Sequence, residues 1–201
     1  MHRIVSLSAA VVLSFVAVAT THSDLPNLQP GTSAPAWTLT DSNGKQHSLQ
    51  DFKGKYLVLE WTNHQCPVVA RHYRAGGMQA TQKWATEQGV AWVSVVSSKP
   101  GSQGHVTPEQ ANEVVKEKGH RISAMVLDPD GKVGKTYGAR TTPHMFVIDP
   151  KGTLIYNGAI DDSPRGGSSA KNLVKAALEE AKAGKPVSIP VSQPYGCSVK
   201  Y

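Results

Sequence analysis

The chain has 201 residues, 39% of them hydrophobic and 18% charged, with 18 glycines and 13 prolines. That length fits one domain with a packed core, and the composition excludes collagen-like, coiled-coil and wholly disordered classes. A formal charge of +6 comes from 21 Lys and Arg against 15 Asp and Glu, yet no basic run and no interleaving of basic with aromatic residues marks a nucleic-acid binder.

Met1-His2-Arg3 makes a short basic start, Ile4 to Ala19 is apolar apart from Ser6, Ser8 and Ser14, and Ala17-Val18-Ala19 has the small-x-small form of a cleavage site. The stretch falls short of the roughly 20 residues that a spanning helix needs, so residues 1–19 read as a secretory signal peptide. The expected product is periplasmic or extracellular, with no stable membrane insertion after cleavage. Export to an oxidising compartment permits a disulfide between the only two cysteines, Cys66 and Cys197.

Residues 20–35 form a flexible, polar, proline-bearing lead-in. Trp37 to Leu39 and Lys45 to Leu49 read as short strands around the turn cluster Asp41-Ser42-Asn43-Gly44. Tyr56 to Trp61 and Val90 to Val96 are apolar, β-rich runs of the kind buried on both faces. Between them Pro67 stands at a first helical position, and helical spacing runs to about Gln88 with an interruption at Gly76-Gly77. Strand, helix, strand implies a parallel crossover.

Thr107 caps a second helix that runs to about Lys118, with Pro108 in its first position. Ala124 to Leu127 is a further strand, and Asp128-Pro129-Asp130-Gly131 turns into a short helix ending near Tyr137-Gly138. Met145 to Asp149 and Thr153 to Tyr156 flank a hairpin turn at Asp149-Pro150-Lys151-Gly152, which makes the sheet mixed. A last helix is expected over about Ser168 to Ala183. Beyond it Pro186, Pro190 and Pro194 forbid helix, so residues 184–201 should form an extended arm on a domain of residues 36–183.

Cys66 falls between a buried strand and a helix that opens on Pro67, which makes it the N-cap. Unpaired amides and the helix dipole favour an anion there, and a thiol so placed can fall from ~8.5 into the range ~3.5–7.5. The thiolate is the nucleophile. A buried inert cysteine is the alternative.

Trp61-Thr62-Asn63-His64-Gln65-Cys66-Pro67, followed far downstream by Tyr137-Gly138-Ala139-Arg140-Thr141-Thr142-Pro143-His144-Met145-Phe146-Val147-Ile148-Asp149, resembles the thioredoxin-fold redoxins. The nearest branch is the alkyl hydroperoxide reductase/thiol-specific antioxidant (AhpC/TSA) type and its exported bacterial thioredoxin-like relatives. The resemblance implies an α/β, three-layer sandwich around a central mixed sheet. It further implies a cis proline at Pro143 facing Cys66, with Thr142 and the backbone near Pro143 positioning an incoming group and Asn63 hydrogen-bonding it.

Two departures bear on activity. A thioredoxin-type CxxC has its second cysteine where this chain has Val69. The peroxiredoxin positions for threonine, proline and arginine hold Asn63, Leu59 and Pro143, which weighs against peroxidase chemistry.

Cys197 can supply the missing thiol. The segment from Gly184 spans at most about 45 Å when extended, against a domain radius of gyration of about 16 Å, so it can return to Cys66. Cys197 is then either a resolving thiol for oxidised Cys66 or half of a structural staple worth ~4–5 kcal/mol. His64 and His144 are placed to approach Cys66, as thiolate stabilisers or metal ligands, whereas His47, His105 and His120 read as surface. Asp161-Asp162 reads as a turn rather than an acid/base pair.

No phosphate loop, Ser-His-Asp signature, or flavin or nicotinamide fingerprint is present. No cofactor and no metal are expected, and electrons come from a protein or small-molecule thiol partner, with peroxide or a disulfide as oxidant. The expectation is therefore a thiol-dependent oxidoreductase with catalytic Cys66, Cys197, Asn63, Thr142 and Pro143. The alternative is a non-catalytic binding module of the same fold, for a metal or a protein, locked by a Cys66–Cys197 disulfide.

Overall fold

A computed structural model describes residues 25–167 and 169–201. The signal peptide expected at 1–19 lies outside the described residues, as does the start of the lead-in. In chain order the strands are β1 (Thr38–Asp41), β2 (Gln46–Ser48), β3 (Leu57–Trp61), β4 (Ala91–Val96), β5 (Ala124–Leu127), β6 (Thr141–Thr142), β7 (His144–Ile148), β8 (Leu154–Gly158) and β9 (Cys197–Ser198). The helices are α1 (Pro67–Arg74), α2 (Gly77–Glu87), α3 (Pro108–Glu117), α4 (Lys132–Tyr137) and α5 (Leu173–Lys182).

Seven strands form one mixed sheet in the order β2-β1-β5-β4-β3-β7-β8. β3, β4 and β5 run parallel, as the crossover through α1 and α2 requires, while β7 and β8 form the expected antiparallel hairpin beside β3. β3 is central and buried along its whole length, so its side chains serve two cores. Val58 faces Val69, Met78, Trp92, Val174 and Leu178 under α1, α2 and α5, and Leu57, Leu59 and Trp61 face Val93, Phe146 and Tyr137 on the other side. α3 covers Val96 and Met125. Each large apolar side chain buried in this way stabilises by about 1.5–3 kcal/mol relative to exposure.

The interruption expected at Gly76-Gly77 divides the segment from Pro67 to Gln88 into two helices, because Gly76 takes a left-handed conformation (φ 75°) that ends one and starts the other. The last helix begins at Leu173 rather than near Ser168, since the Asn172 side chain accepts from the Lys175 amide at 2.8 Å and caps it there. The arm is extended as its prolines demand, but it is strapped to the domain: β9 pairs with β6, Asn157 bridges to Val191, and the Ser192 hydroxyl accepts from the Ala159 amide at 2.9 Å.

Candidate active site

α1 opens at Pro67, and Cys66 precedes it as the N-cap in extended conformation. Proline suits that first turn because its missing N–H would have had no helical partner. Cys66 is fully buried. Its thiol donates to the Thr142 carbonyl at 3.2 Å, and the Thr142–Pro143 peptide bond is cis. The expected meeting of Cys66 with the Thr-Pro loop is therefore present, although the two lie 76 positions apart in the chain.

Gly196 makes the second approach possible. Its φ is +130°, and a Cβ there would sit 2.0 Å from the Thr142 carbonyl oxygen. With no side chain in the way, Cys197 pairs opposite Thr142 and Ser198 opposite Thr141. Cys197 is thereby brought beside Cys66, packed against the same buried cluster. Burial pushes the Cys66 thiol up, but hydrogen bonds from the Cys197 thiol, the Val69 and Cys197 amides and the Thr142 hydroxyl outweigh it and hold Cys66 below the ordinary thiol value. The Val69 amide belongs to the first turn of α1, yet it points toward the sulfur without closing a full capping bond. Cys197 goes the other way: burial, then its contact with Cys66, push it up to about 11. Both cysteines are free thiols in this arrangement. The surroundings favour the anion at Cys66 and the protonated thiol at Cys197.

The remaining site expectations fare differently. Asn63 is buried close to Cys66 in sequence, but its side chain is committed to the loop: Oδ1 accepts from the Gln65 amide at 2.9 Å and Nδ2 donates to the Gln103 carbonyl at 3.3 Å. Gly104 packs against it so closely that a Cβ would lie 2.3 Å from its side chain. Asn63 thus shapes the Cys66 loop.

His144 is also structural. The Arg140 amide donates to its Nδ1 at 3.2 Å, which leaves Nε2–H to donate to Asn157 Oδ1 at 2.8 Å. With both ring nitrogens used it has none to offer a metal, and burial drives its pKa down to about 4. His47 and His120 are not surface residues: His47 bonds Asp41 at 2.8 Å, and His120 Nδ1 lies 3.0 Å from the Tyr73 hydroxyl. Asp161 serves the arm, accepting from the Tyr195 hydroxyl.

Sequence reasoning missed a buried polar cluster under α1 and α2. Glu60 is fully buried in β3, where Trp92 Nε1, Gln82 Nε2 and the Ser94 hydroxyl donate to Oε2 at 2.8, 3.1 and 3.1 Å, and Tyr73 contacts Oε1 at 3.1 Å. Burial raises the Glu60 pKa against the pull of those four bonds. The Tyr73 hydroxyl donates to Oε1 and accepts from Gln82 Nε2 at 2.8 Å, which leaves the His120 Nδ1–H to donate to it at 3.0 Å. The signal was present in the sequence as one charged residue inside the apolar run Tyr56 to Trp61.

A family model described as the AhpC/TSA family matches residues 30–157. The thiol-disulfide oxidoreductase ResA of Bacillus subtilis (strain 168) is 26% identical over 136 residues, 64% of this chain. That match spans 66% of the relative's own length, just under two thirds. A crystal structure of a hypothetical protein from Sinorhizobium meliloti 1021 superposes with a TM-score of 0.77 at 27% identity, covering 88% of this chain and 96% of that one. The thioredoxin domain of a thiol-disulfide oxidoreductase from Bacteroides vulgatus gives a TM-score of 0.52 at 25% identity, covering 65% and 89%. The architecture is thioredoxin-like.

Proposed function

Because this chain belongs to the AhpC/TSA family, we propose that it is a thiol–disulfide oxidoreductase in which Cys66 is the nucleophile and Cys197 the resolving thiol. The observation that carries this reading is the placement of Cys197 opposite Thr142, beside Cys66. It does in space what the absent CxxC partner does in sequence. Cys66 thiolate attacks one sulfur of a substrate disulfide RSSR, the S–S bond breaks, and RS⁻ leaves. The Cys197 thiol then attacks the mixed disulfide, expelling the second thiolate and passing its proton to it. The products are a Cys66–Cys197 disulfide, one RS⁻ and one RSH, and a thiol donor returns the protein to its reduced state.

Disulfide is favoured over peroxide by what surrounds the sulfur. The groups holding Cys66 are amides, a hydroxyl and a thiol. The one cation on the adjoining loop, Arg140, spends its guanidinium on the Leu25 carbonyl at 3.2 Å. Thr142 and Pro143 position the incoming sulfur, and residues 36–183 act as one redox domain with 184–201 as a functional arm. The leader read at residues 1–19 supports a site of action outside the inner membrane, where disulfides persist.

The test is a stopped-flow comparison of reduced protein with hydrogen peroxide and with a small disulfide, repeated for Cys66→Ser and Cys197→Ser. Disulfide reduction should vanish in Cys66→Ser and stop at a stable mixed disulfide in Cys197→Ser. Equal, slow consumption of both oxidants by all three proteins would leave only a binding role.

A further inference from the structure

The arm does more than deliver a sulfur. Tyr195 lies two residues before Cys197 and Tyr201 four after it, and each is seated in a shaped socket. The Tyr201 hydroxyl donates to the Ala139 carbonyl at 2.6 Å, and its ring lies in a slot that exists because two residues are glycine. A Cβ on Gly131 would come within 2.5 Å of that ring, and one on Gly134 within 2.6 Å of its hydroxyl. Lys135 Nζ stands 5.4 Å from the ring centroid. On the other side, the Tyr195 hydroxyl donates to Asp161 and accepts from His72 Nε2 at 3.2 Å. Between the two sockets the backbone is bonded at Val199 to Arg140 (3.0 Å) and at Lys200 to Lys99 (2.9 Å).

We propose that Tyr195 and Tyr201 are positioning residues, a two-point clasp that holds Cys197 on Cys66 and makes the second exchange step intramolecular. The inference rests on the reading of Cys197 as resolving thiol and extends it. The clasp has opposite effects on the two steps. With the arm down Cys66 is fully buried, so a substrate disulfide reaches it only when the arm lifts, and the clasp slows the first step. Once the mixed disulfide exists, a clasped Cys197 acts at the high effective concentration of a tethered group, and the clasp speeds the second. Releasing either tyrosine therefore accelerates attack and retards resolution.

The experiment mixes fully reduced protein with an aromatic disulfide that releases a coloured thiolate. Wild-type protein should release two equivalents, the first at a rate proportional to reagent concentration and the second at a rate independent of it. In Tyr201→Ala and Tyr195→Phe the first phase should quicken and the second slow by about tenfold or more. Tyr201→Phe, which keeps the ring in its glycine slot, should recover most of the wild-type second phase. A purely structural contribution would move both phases in one direction, and that result, or an unchanged second phase in both variants, overturns the clasp. Should Tyr201→Ala fold poorly by circular dichroism, Tyr195→Phe decides, since it deletes one hydroxyl. If wild-type protein releases a single equivalent, or Cys197→Ser still shows a concentration-independent second phase, the resolving role itself fails and the clasp with it.

Discussion

Thr142 and Cys197 face each other across an antiparallel pair of strands, and the Thr142 carbonyl is also the acceptor for the Cys66 thiol. One backbone residue therefore fixes the positions of both sulfurs. Its neighbour in space is Gly196, whose missing side chain is what lets the two strands close.

Gly196→Ala should open the site while leaving the domain folded. A Cβ 2.0 Å from the Thr142 oxygen, at φ +130°, cannot be accommodated without separating β6 from β9. Alkylation of Cys66 in the reduced variant should be at least tenfold faster than in wild type, with a loss of roughly 1–3 kcal/mol in stability by urea denaturation. An unchanged alkylation rate would mean that the arm does not gate the thiol.

The two thiols should titrate far apart. Alkylation rate against pH, followed by mass spectrometry at each cysteine, should show Cys66 reacting with an inflection below the ordinary ~8.5 of a free thiol. Cys197 should react only as pH approaches about 11. In Cys66→Ser the Cys197 inflection should move down, because the neighbouring sulfur contributes to its elevation. Similar inflections for both residues in wild type would contradict the site's electrostatics.

Glu60→Gln and Glu60→Ala should separate cleanly. Glutamine keeps a carbonyl oxygen to accept from Trp92, Gln82 and Ser94, and the Tyr73 hydroxyl that donated to Oε1 turns its proton to His120, so the cost should stay within ~1.5 kcal/mol. Alanine strands those buried donors and leaves a cavity, at ~3–5 kcal/mol. For an acid whose folded pKa is raised, the folded state binds more protons than the unfolded one. Glu60 therefore favours folding most at low pH, and that contribution declines as pH rises from the usual 4.5 through the raised folded value. Urea denaturation across this window should show the decline in wild type and lose it in Glu60→Gln.

His144 should work in the opposite sense. Its folded pKa of about 4 lies below the usual 6.5, so the unfolded state binds the extra proton and stability falls as pH drops from 6.5 toward 4. The loss between pH 7 and pH 5 from this one group should be ~2 kcal/mol. His144→Asn, compared with wild type at both pH values, should destabilise at pH 7 by removing two buried hydrogen bonds and reduce the acid-dependent loss. An acid slope identical to that of wild type would show that His144 is not held neutral.

Cys66 is legible in the sequence as the candidate nucleophile because its signals are local. A buried β-rich run, a cysteine and a proline at a helix start are contiguous in sequence, and the Thr-Pro before β7 is a compact motif of its own. Most element types followed from periodicity and turn residues for the same reason. The partners that Asn63 takes in the fold, Gln65 and the Gln103–Gly104 loop, are not legible from its residue type, because folding alone brings them together. Nothing near His120 in the chain shows that Tyr73 will lie against it, so by sequence alone it reads as surface.

The sequence alone settled which atoms are available: a thiol at a helix mouth, a second thiol on a chain that cannot become helix, and a Thr-Pro step to receive them. Helix starts and proline constraints act over a few residues, and a few residues suffice to read them. Whether the second thiol reaches the first is a question of register between Cys197 and Thr142, and register is set by contacts far apart in the chain. Glycines at 131, 134 and 196 leave gaps that mean nothing until Tyr201 and the Thr142 carbonyl fill them. Only the folded chain brings those pairs together, because shape complementarity between distant segments is a property of the packed molecule.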